Sequence, residues 1–88
     1  MYYLTLETDG RIGDAILSNE KEIIAQFENE EDALEALRLR FAILRRSSRL
    51  TFRVKLTWDD DSSFTAVTRH RVYNTVERYR VETTSSRI

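Results

Sequence analysis

The sequence contains 88 residues with a mass of 10.4 kDa; 41% of them are hydrophobic, 33% are charged, and the net charge is -1. A chain of this length buries about 60% of its unfolded surface, which suffices for one hydrophobic core, so we expect a single folded domain over residues 1–88. The sequence has no Cys and one His. This composition excludes disulfide frameworks, zinc ribbons and thiol catalysis, and it leaves few ligands for a transition metal.

No catalytic or cofactor-binding motif stands out, so we predict a protein that is not an enzyme and that carries no cofactor or metal. The first residues lack a basic leader and reach the acidic Glu7 and Asp9 early, unlike a secretory signal. The longest apolar stretch, about twelve residues over 33–44, contains three charged residues and is shorter than the roughly 20 residues that span a bilayer. We therefore expect a cytoplasmic protein without a membrane partner.

The first half of the chain begins with strand patterns. Residues 2–8 alternate between apolar and polar side chains, as a strand with one buried face does. Asp9-Gly10 follows and is a strong hairpin signal, so a turn is expected there, with a returning strand over residues 11–17. Residues 22–27 predict a further short strand, with a first helical turn as the alternative.

One helix is predicted over residues 29–46. The Asn29 side chain can accept a hydrogen bond from the backbone amide of Asp32, and acidic side chains fill the first turn, where the helix dipole favours negative charge. Basic residues fill the last turn, and a pair of serines is expected to end the helix. At 100° per residue, one face of this helix collects Ala33, Leu34, Leu37, Phe41 and Leu44.

Two apolar residues of the helix do not belong to that face. Leu39 lies off the apolar stripe and Ile43 lies on its edge. Isolated apolar side chains are ordinary on protein surfaces, so simple exposure is one interpretation. The alternative is that Leu39 and Ile43 contact a second subunit, which would make the protein a homo-oligomer.

After the helix the hydrophobic period becomes two. Residues 50–58 alternate strictly and predict a strand, residues 59–63 predict a polar turn, and residues 64–73 predict the next strand. A turn at residues 74–75 would lead into a last strand over residues 76–83. Because this turn contains no Gly, a single long bent strand is the alternative.

These elements predict the order ββ(β)αβββ. The expected fold class is α+β, a small and mostly antiparallel sheet of about five or six strands with one helix packed on one face. The tail over residues 84–88 is expected to fray.

Charge is distributed unevenly along the chain. Residues 1–37 contain ten acidic and two basic side chains, with a net charge of -8. Residues 38–88 contain five acidic and twelve basic side chains, with a net charge of +7. The nearly neutral total therefore conceals a polarised chain.

The basic residues of the last three strands are expected to share the sheet face away from the helix. If Trp58 pairs with Phe64 and residues 74–75 turn, the cross-strand neighbours are Arg53 with Arg69, Arg78 with Arg71, and Arg80 with Arg69. Like charges opposite one another destabilise a sheet by roughly 0.2–1 kcal/mol per pair, so stability alone would not select this lattice. A negatively charged neighbour is therefore predicted. The candidate binding residues are Arg53, Lys55, Arg69, Arg71, Arg78 and Arg80.

Three neighbours can supply the negative charge: the acidic first half of the same chain, an acidic protein surface, or a phosphate backbone. For nucleic acid, Tyr73 and Tyr3 are candidate rings on which bases stack. The plainer alternative is that Glu7, Glu77 and Glu82 pair with the arginines across strands, which would leave an ordinary solvated face.

Two other candidates have plainer structural explanations. The segment Asp59-Asp60-Asp61 could bind Mg²⁺ or Ca²⁺, but it lacks the Gly and the distal Glu of a calcium loop and occupies an expected turn. His70 is predicted on the core face near Tyr79. Without a Cys or Ser partner at a known spacing, it is interpreted as a half-buried structural residue.

We interpret the chain as a non-catalytic interaction module. Its polarised surface is expected to dock through the Arg-rich sheet face on a protein partner that belongs to a nucleic-acid-associated machine. Small domains of similar size and composition include regulators and phage- or virus-encoded inhibitors of host machinery. By analogy with them, this chain would suit such a role. The alternatives are direct binding of RNA or DNA and a structural homo-oligomer.

Overall fold

The computed structural model describes residues 1–51 and 53–83, so the prediction for residues 84–88 lies outside the described residues. Within these ranges the elements are β1 (Tyr2–Ile12), β2 (Ala15–Phe27), α1 (Glu30–Thr51), β3 (Val54–Asp60), β4 (Ser63–Arg69) and β5 (Asn74–Thr83). The strands form one antiparallel sheet in the order β2-β1-β5-β4-β3. The predicted α+β fold is confirmed, with five strands and one helix in the described part of the chain.

The first hairpin turns later than the sequence predicts. Strand β1 continues through Asp9 and Gly10, and the chain turns at Gly13-Asp14. Gly13 has a φ of 57°, a left-handed conformation that is strained for residues with a Cβ atom. The turn expected at Asp9-Gly10 is wrong because the Asp9 side chain is bound inside the sheet, as described below.

The strands predicted over residues 11–17 and 22–27 are parts of one long hairpin rather than separate elements. Residues 15–27 form the continuous strand β2, which lies at one edge of the sheet. Its register with β1 shifts twice, beside Thr5 and beside Gly10. Such bulges interrupt the regular ladder of an edge strand, while β2 exposes both charged side chains and the apolar Ile16, Leu17 and Ile23.

Helix α1 begins as predicted and ends later. The backbone amide of Asp32 donates to Asn29 Oδ1 at 2.9 Å, which confirms the cap. The helix continues past the predicted end at Arg46 to Thr51, because serine costs only a few tenths of a kcal/mol within a helix and no Gly or Pro follows. The strand predicted from residue 50 therefore begins at Val54. Within the described residues, no helix has the length and apolar character that crossing a bilayer requires.

The core lies between α1 and one face of the sheet. Its buried centre contains Leu4, Leu37, Phe64 and Tyr79. The Phe64 ring stacks on Tyr79 at a centroid distance of 4.8 Å and meets Phe41 edge-on at 5.1 Å. The ring contacts join β4 and β5 to the helix, and Leu4 adds β1 to the same cluster, so the apolar stripe predicted for the helix forms the core.

The last two strands are separate, and the turn between them precedes the predicted position. The backbone amide of His70 donates to the carbonyl oxygen of Tyr73 at 2.9 Å, and Arg69 pairs with Asn74. The turn therefore occupies residues 70–73, which excludes both the turn at 74–75 and a single bent strand. His70 is exposed in this turn, so its predicted place on the core face is wrong.

Candidate binding surface

We call the sheet face opposite α1 the open face. Leu4 and Leu6 of β1 pack against the core, so the alternating residues between and beyond them point away from the helix. Cross-strand pairing extends this assignment to the other strands. The polar side chains of the open face include Thr5, Glu7, Asp9, Arg11, Asn19, Lys21, Lys55, Arg69, Arg78, Arg80 and Glu82.

A buried carboxylate organises the centre of the open face. Asp9 is only 2% exposed, and its Oδ2 accepts hydrogen bonds from Arg11 Nη2 at 2.8 Å and Arg78 Nη1 at 3.0 Å. Asn19 Nδ2 donates to Oδ1 of the same carboxylate. The hydrogen bonds from Asn19 and Arg11, helped by Arg78 and opposed by desolvation, lower the pKa of Asp9 to about 2. This network ties both arginines to one buried carboxylate within the fold.

Further pairs neutralise the centre of the open face. Glu7 Oε1 lies 3.5 Å from Arg78 Nη1, and Glu82 Oε2 lies 3.1 Å from Lys21 Nζ. Thr5 Oγ1 also donates to Glu82 Oε2 at 2.8 Å. Although desolvation raises the pKa of Glu82, the hydrogen bonds from Thr5 and Lys21 leave it below its ordinary value.

The predicted pairing of glutamates with arginines therefore holds for part of the face. Glu7 pairs with an arginine as expected, whereas the basic partner of Glu82 is Lys21. Glu77 lies on the helix side of β5, opposite Ala66, where burial raises its pKa. Glu77 consequently does not neutralise the open face.

One corner of the sheet keeps its positive charge. We define the basic corner as Arg53, Lys55, Arg69 and Arg71. The amide of Arg69 donates to the carbonyl oxygen of Arg53 at 3.0 Å, so these two residues are neighbours as predicted. Among the residues that the structure describes, no acidic side chain forms an ion pair with Lys55, Arg69 or Arg71. Lys55, Arg69 and Arg71 therefore present cations that no ion pair of the described residues neutralises.

A cleft opens at this corner. Its volume is about 610 Å³, and its lining residues are Arg53, Arg69, His70 and Arg71. The His70 ring stacks on Tyr73 with a centroid distance of 4.3 Å, and His70 Nε2 lies 3.0 Å from Thr75 Oγ1. These contacts order the turn that carries Arg71. Val72 and Tyr73 are 74% and 45% exposed, so apolar surface adjoins the charged cleft.

The positions predicted for Arg78 and Arg80 beside the other arginines are wrong. The neighbour of Arg69 across the strands is Asn74 rather than Arg80, a shift of six residues that follows from the earlier turn. At about 3.4 Å per residue, Arg78 and Arg80 lie roughly 14 and 20 Å along β5 from Asn74. The six candidate binding residues are thus separated: Arg53, Lys55, Arg69 and Arg71 lie at the basic corner, Arg78 is ion-paired at the centre, and Arg80 lies beyond the corner without an ion pair among the described residues.

The acidic turn after β3 has a structural role. Asp60 Oδ1 accepts hydrogen bonds from the Ser62 amide at 2.8 Å and from the Ser63 hydroxyl at 3.0 Å. These bonds, led by the one from the Ser62 amide, lower the pKa of Asp60. Within residues 1–51 and 53–83, no group of three or more His, Cys, Asp or Glu side chains is placed to hold a metal ion.

Sequence reasoning missed two features of the open face. Asp9 and Arg11 occupy alternate positions of one strand and so point to the same side, a spacing that could have indicated their ion pair. No local sequence pattern indicated that Asn19 would bind Asp9 or that His70 would line the cleft, because both contacts depend on the positions of the two turns.

Comparisons of the chain with protein-family models, curated proteins and solved structures gave no match. The function is therefore argued from the site itself. The site offers a cationic cleft, an ordered turn and exposed apolar side chains.

Proposed function

We propose that the protein is a non-catalytic binding module whose basic corner docks on an acidic surface of a protein partner. The observation that carries this proposal is a difference in charge pairing between two parts of the open face. At the centre of the open face Asp9, Glu7 and Glu82 form ion pairs with Arg11, Lys21 and Arg78, whereas Lys55, Arg69 and Arg71 have no ion-pair partner in the described part of the chain.

The energetics of the sheet support a binding role for the corner. Lys55 of β3 lies diagonally across from Arg69 of β4, so two like charges lie close together on the open face and repel one another. These residues do not contribute to the buried core. A partner's carboxylates remove this repulsion, because planar guanidinium groups accept bidentate pairing with Asp or Glu.

The surroundings of the corner favour a protein over nucleic acid. Glu7 and Glu82 are each about a third exposed on the same face, and a phosphate backbone that followed the sheet would meet them. Nucleic-acid sites are usually more extensively basic than a corner of four cations on a chain of net charge -1. Exposed Val72 and Tyr73 beside arginines instead match protein interfaces, which are enriched in Tyr and Arg.

Site-specific photo-crosslinking in cells of the source organism tests this proposal. A photoreactive amino acid replaces Val72 in the turn of the basic corner; the matched control replaces Gln26, which is exposed at the opposite end of the sheet. We expect position 72 to give a nuclease-resistant adduct with a defined protein. The adduct should be absent from position 26 and should be lost when Arg69→Ala and Arg71→Ala are added.

Two results would overturn the proposal. Adducts that disappear on nuclease treatment would assign the corner to nucleic acid. Adducts that persist in the Arg69→Ala and Arg71→Ala background would show that the arginines do not hold the partner.

A further inference from the structure

The outer face of α1 carries an ordered stripe that the fold does not use. At 100° per residue, the side chains that point directly away from the sheet run from acidic through apolar to basic. The stripe consists of Asp32, Glu35, Leu39, Ile43 and Arg46. Leu39 and Ile43 are 61% and 54% exposed, and the other three are exposed as well. Small side chains flank its centre: Ala42 is exposed, and Ala36 is half-buried where it also packs against the core.

The charges of this stripe are not neutralised within the described part of the chain. No ion pair of the described residues involves Glu35 or Arg46. Asp32 bonds with the cap residue Asn29 at the first turn of the helix. An acidic end and a basic end are therefore both available on one helix face, with apolar side chains between them.

The charges of the stripe complement those of a second copy of α1 that runs in the opposite direction. The helix rises about 1.5 Å per residue, so Glu35 and Arg46 lie roughly 9 and 7.5 Å on either side of the midpoint between Leu39 and Ile43. A two-fold axis through that midpoint forms two equivalent pairs, each with Glu35 of one copy against Arg46 of the other. The same operation sets Leu39 against Ile43. A parallel arrangement would instead oppose like charges, so the stripe selects the antiparallel one.

We propose that two copies of this chain associate through antiparallel packing of their α1 helices. Ala36 and Ala42 permit the close approach of 8–10 Å between axes that is typical of packed helices. One helix face buries less area than a standard interface, so the dimer forms at micromolar or higher concentration. The basic corner lies on the opposite side of the sheet, so this proposal stands independently of the proposed function.

Sedimentation velocity from micromolar to millimolar protein tests the dimer. The variants are Glu35→Arg, Arg46→Glu and the double swap that carries both substitutions. Each single change turns two attractive pairs per dimer into two repulsive ones, and we expect it to raise the dissociation constant at least tenfold. The double swap restores opposite charges across the axis, and we expect it to return dimerisation to within about threefold of wild type. Glu20→Arg, an equal change of net charge on exposed β2, is the control and should have little effect.

Thermal unfolding monitored by circular dichroism establishes that each variant folds. If a charge variant does not fold, Leu39→Gln with Ile43→Gln replaces it, and this uncharged pair should abolish the dimer. A wild-type protein that stays monomeric at millimolar concentration overturns the proposal. So does a double swap that fails to restore what the single variants lose, or an uncharged pair that leaves dimerisation intact.

Discussion

Asp9→Asn removes the charge at the centre of the open face while keeping the shape of the side chain. The variant places an amide group where Arg11 and Arg78 require an acceptor. A hydrogen bond to a charged group contributes about 1.5–3 kcal/mol, but both arginines are almost a third exposed and recover some hydration. We therefore expect a loss of about 2 kcal/mol in the free energy of unfolding. For a domain of this size, the midpoint of thermal unfolding should fall by about 10 °C.

The acid dependence of stability gives the same experiment a second observable. The pKa of Asp9 is lowered from 3.8 to about 2 in the folded protein, so its carboxylate stabilises the fold above about pH 4. This contribution is lost as the pH falls through 2. Wild type should therefore lose more stability than Asp9→Asn between pH 5 and pH 2.

Urea unfolding of both proteins, followed by circular dichroism across that pH range, measures the difference. Asp14→Asn, in the exposed turn of the first hairpin, is the matched control and should change stability by less than about 0.5 kcal/mol. Equal stability of Asp9→Asn and wild type at pH 7, or parallel acid dependence, would refute the role assigned to Asp9.

Further substitutions examine three features: the first turn, the helix cap and the basic corner. Gly13→Ala forces a Cβ atom into a left-handed conformation and should destabilise the fold by about 1 kcal/mol in urea unfolding, so an unchanged midpoint would contradict the assigned turn. Asn29→Ala removes the helix cap and should lower the free energy of unfolding by about 1 kcal/mol in the same assay. Asn29→Asp keeps an oxygen that accepts the capping hydrogen bond, so its stability should stay close to that of wild type. Arg69→Lys with Arg71→Lys keeps the charge but loses the planar guanidinium groups; it should weaken crosslinking from position 72 without changing stability, and full retention would argue against bidentate pairing.

Local patterns predicted the elements of this fold well, because their signals lie within a few residues. The Asn29 cap and the apolar face of α1 were both visible in the sequence. The hairpin that pairs Trp58 with Phe64 was also predicted correctly, because its polar turn is short and strongly marked. This hairpin brings Arg53 next to Arg69, so part of the basic corner could be predicted.

Contacts between distant parts of the chain decided the features that sequence reasoning missed. Asp9-Gly10 has a strong intrinsic preference for a hairpin turn, yet Asp9 remains in the strand because it binds Arg78 from the last strand. The turn at residues 70–73 contains neither Gly nor Pro to mark it, and the resulting shift of six residues separates Arg78 and Arg80 from the corner.

The positive charge of the second half of the chain falls into two groups in the structure, one that pairs with the acidic half and one that lies at the basic corner. Glu7 and Asp9 from the acidic half pair with Arg78 from the basic half, so part of the polarity holds the sheet together. The cations of the basic corner lie beyond this network. The proposed binding role rests on the part of the positive charge that the fold does not use.

Parallel NMR titrations of the isotope-labelled protein test the binding role of the basic corner most directly. The probes are a Glu-rich peptide and a single-stranded RNA of equal total charge, each at physiological salt. We predict that the peptide shifts the backbone amides of residues 53–55 and 69–73, that Arg69→Ala with Arg71→Ala abolishes these shifts, and that the RNA binds several-fold more weakly. Tighter binding of the RNA, or peptide shifts confined to other parts of the protein, would contradict the account.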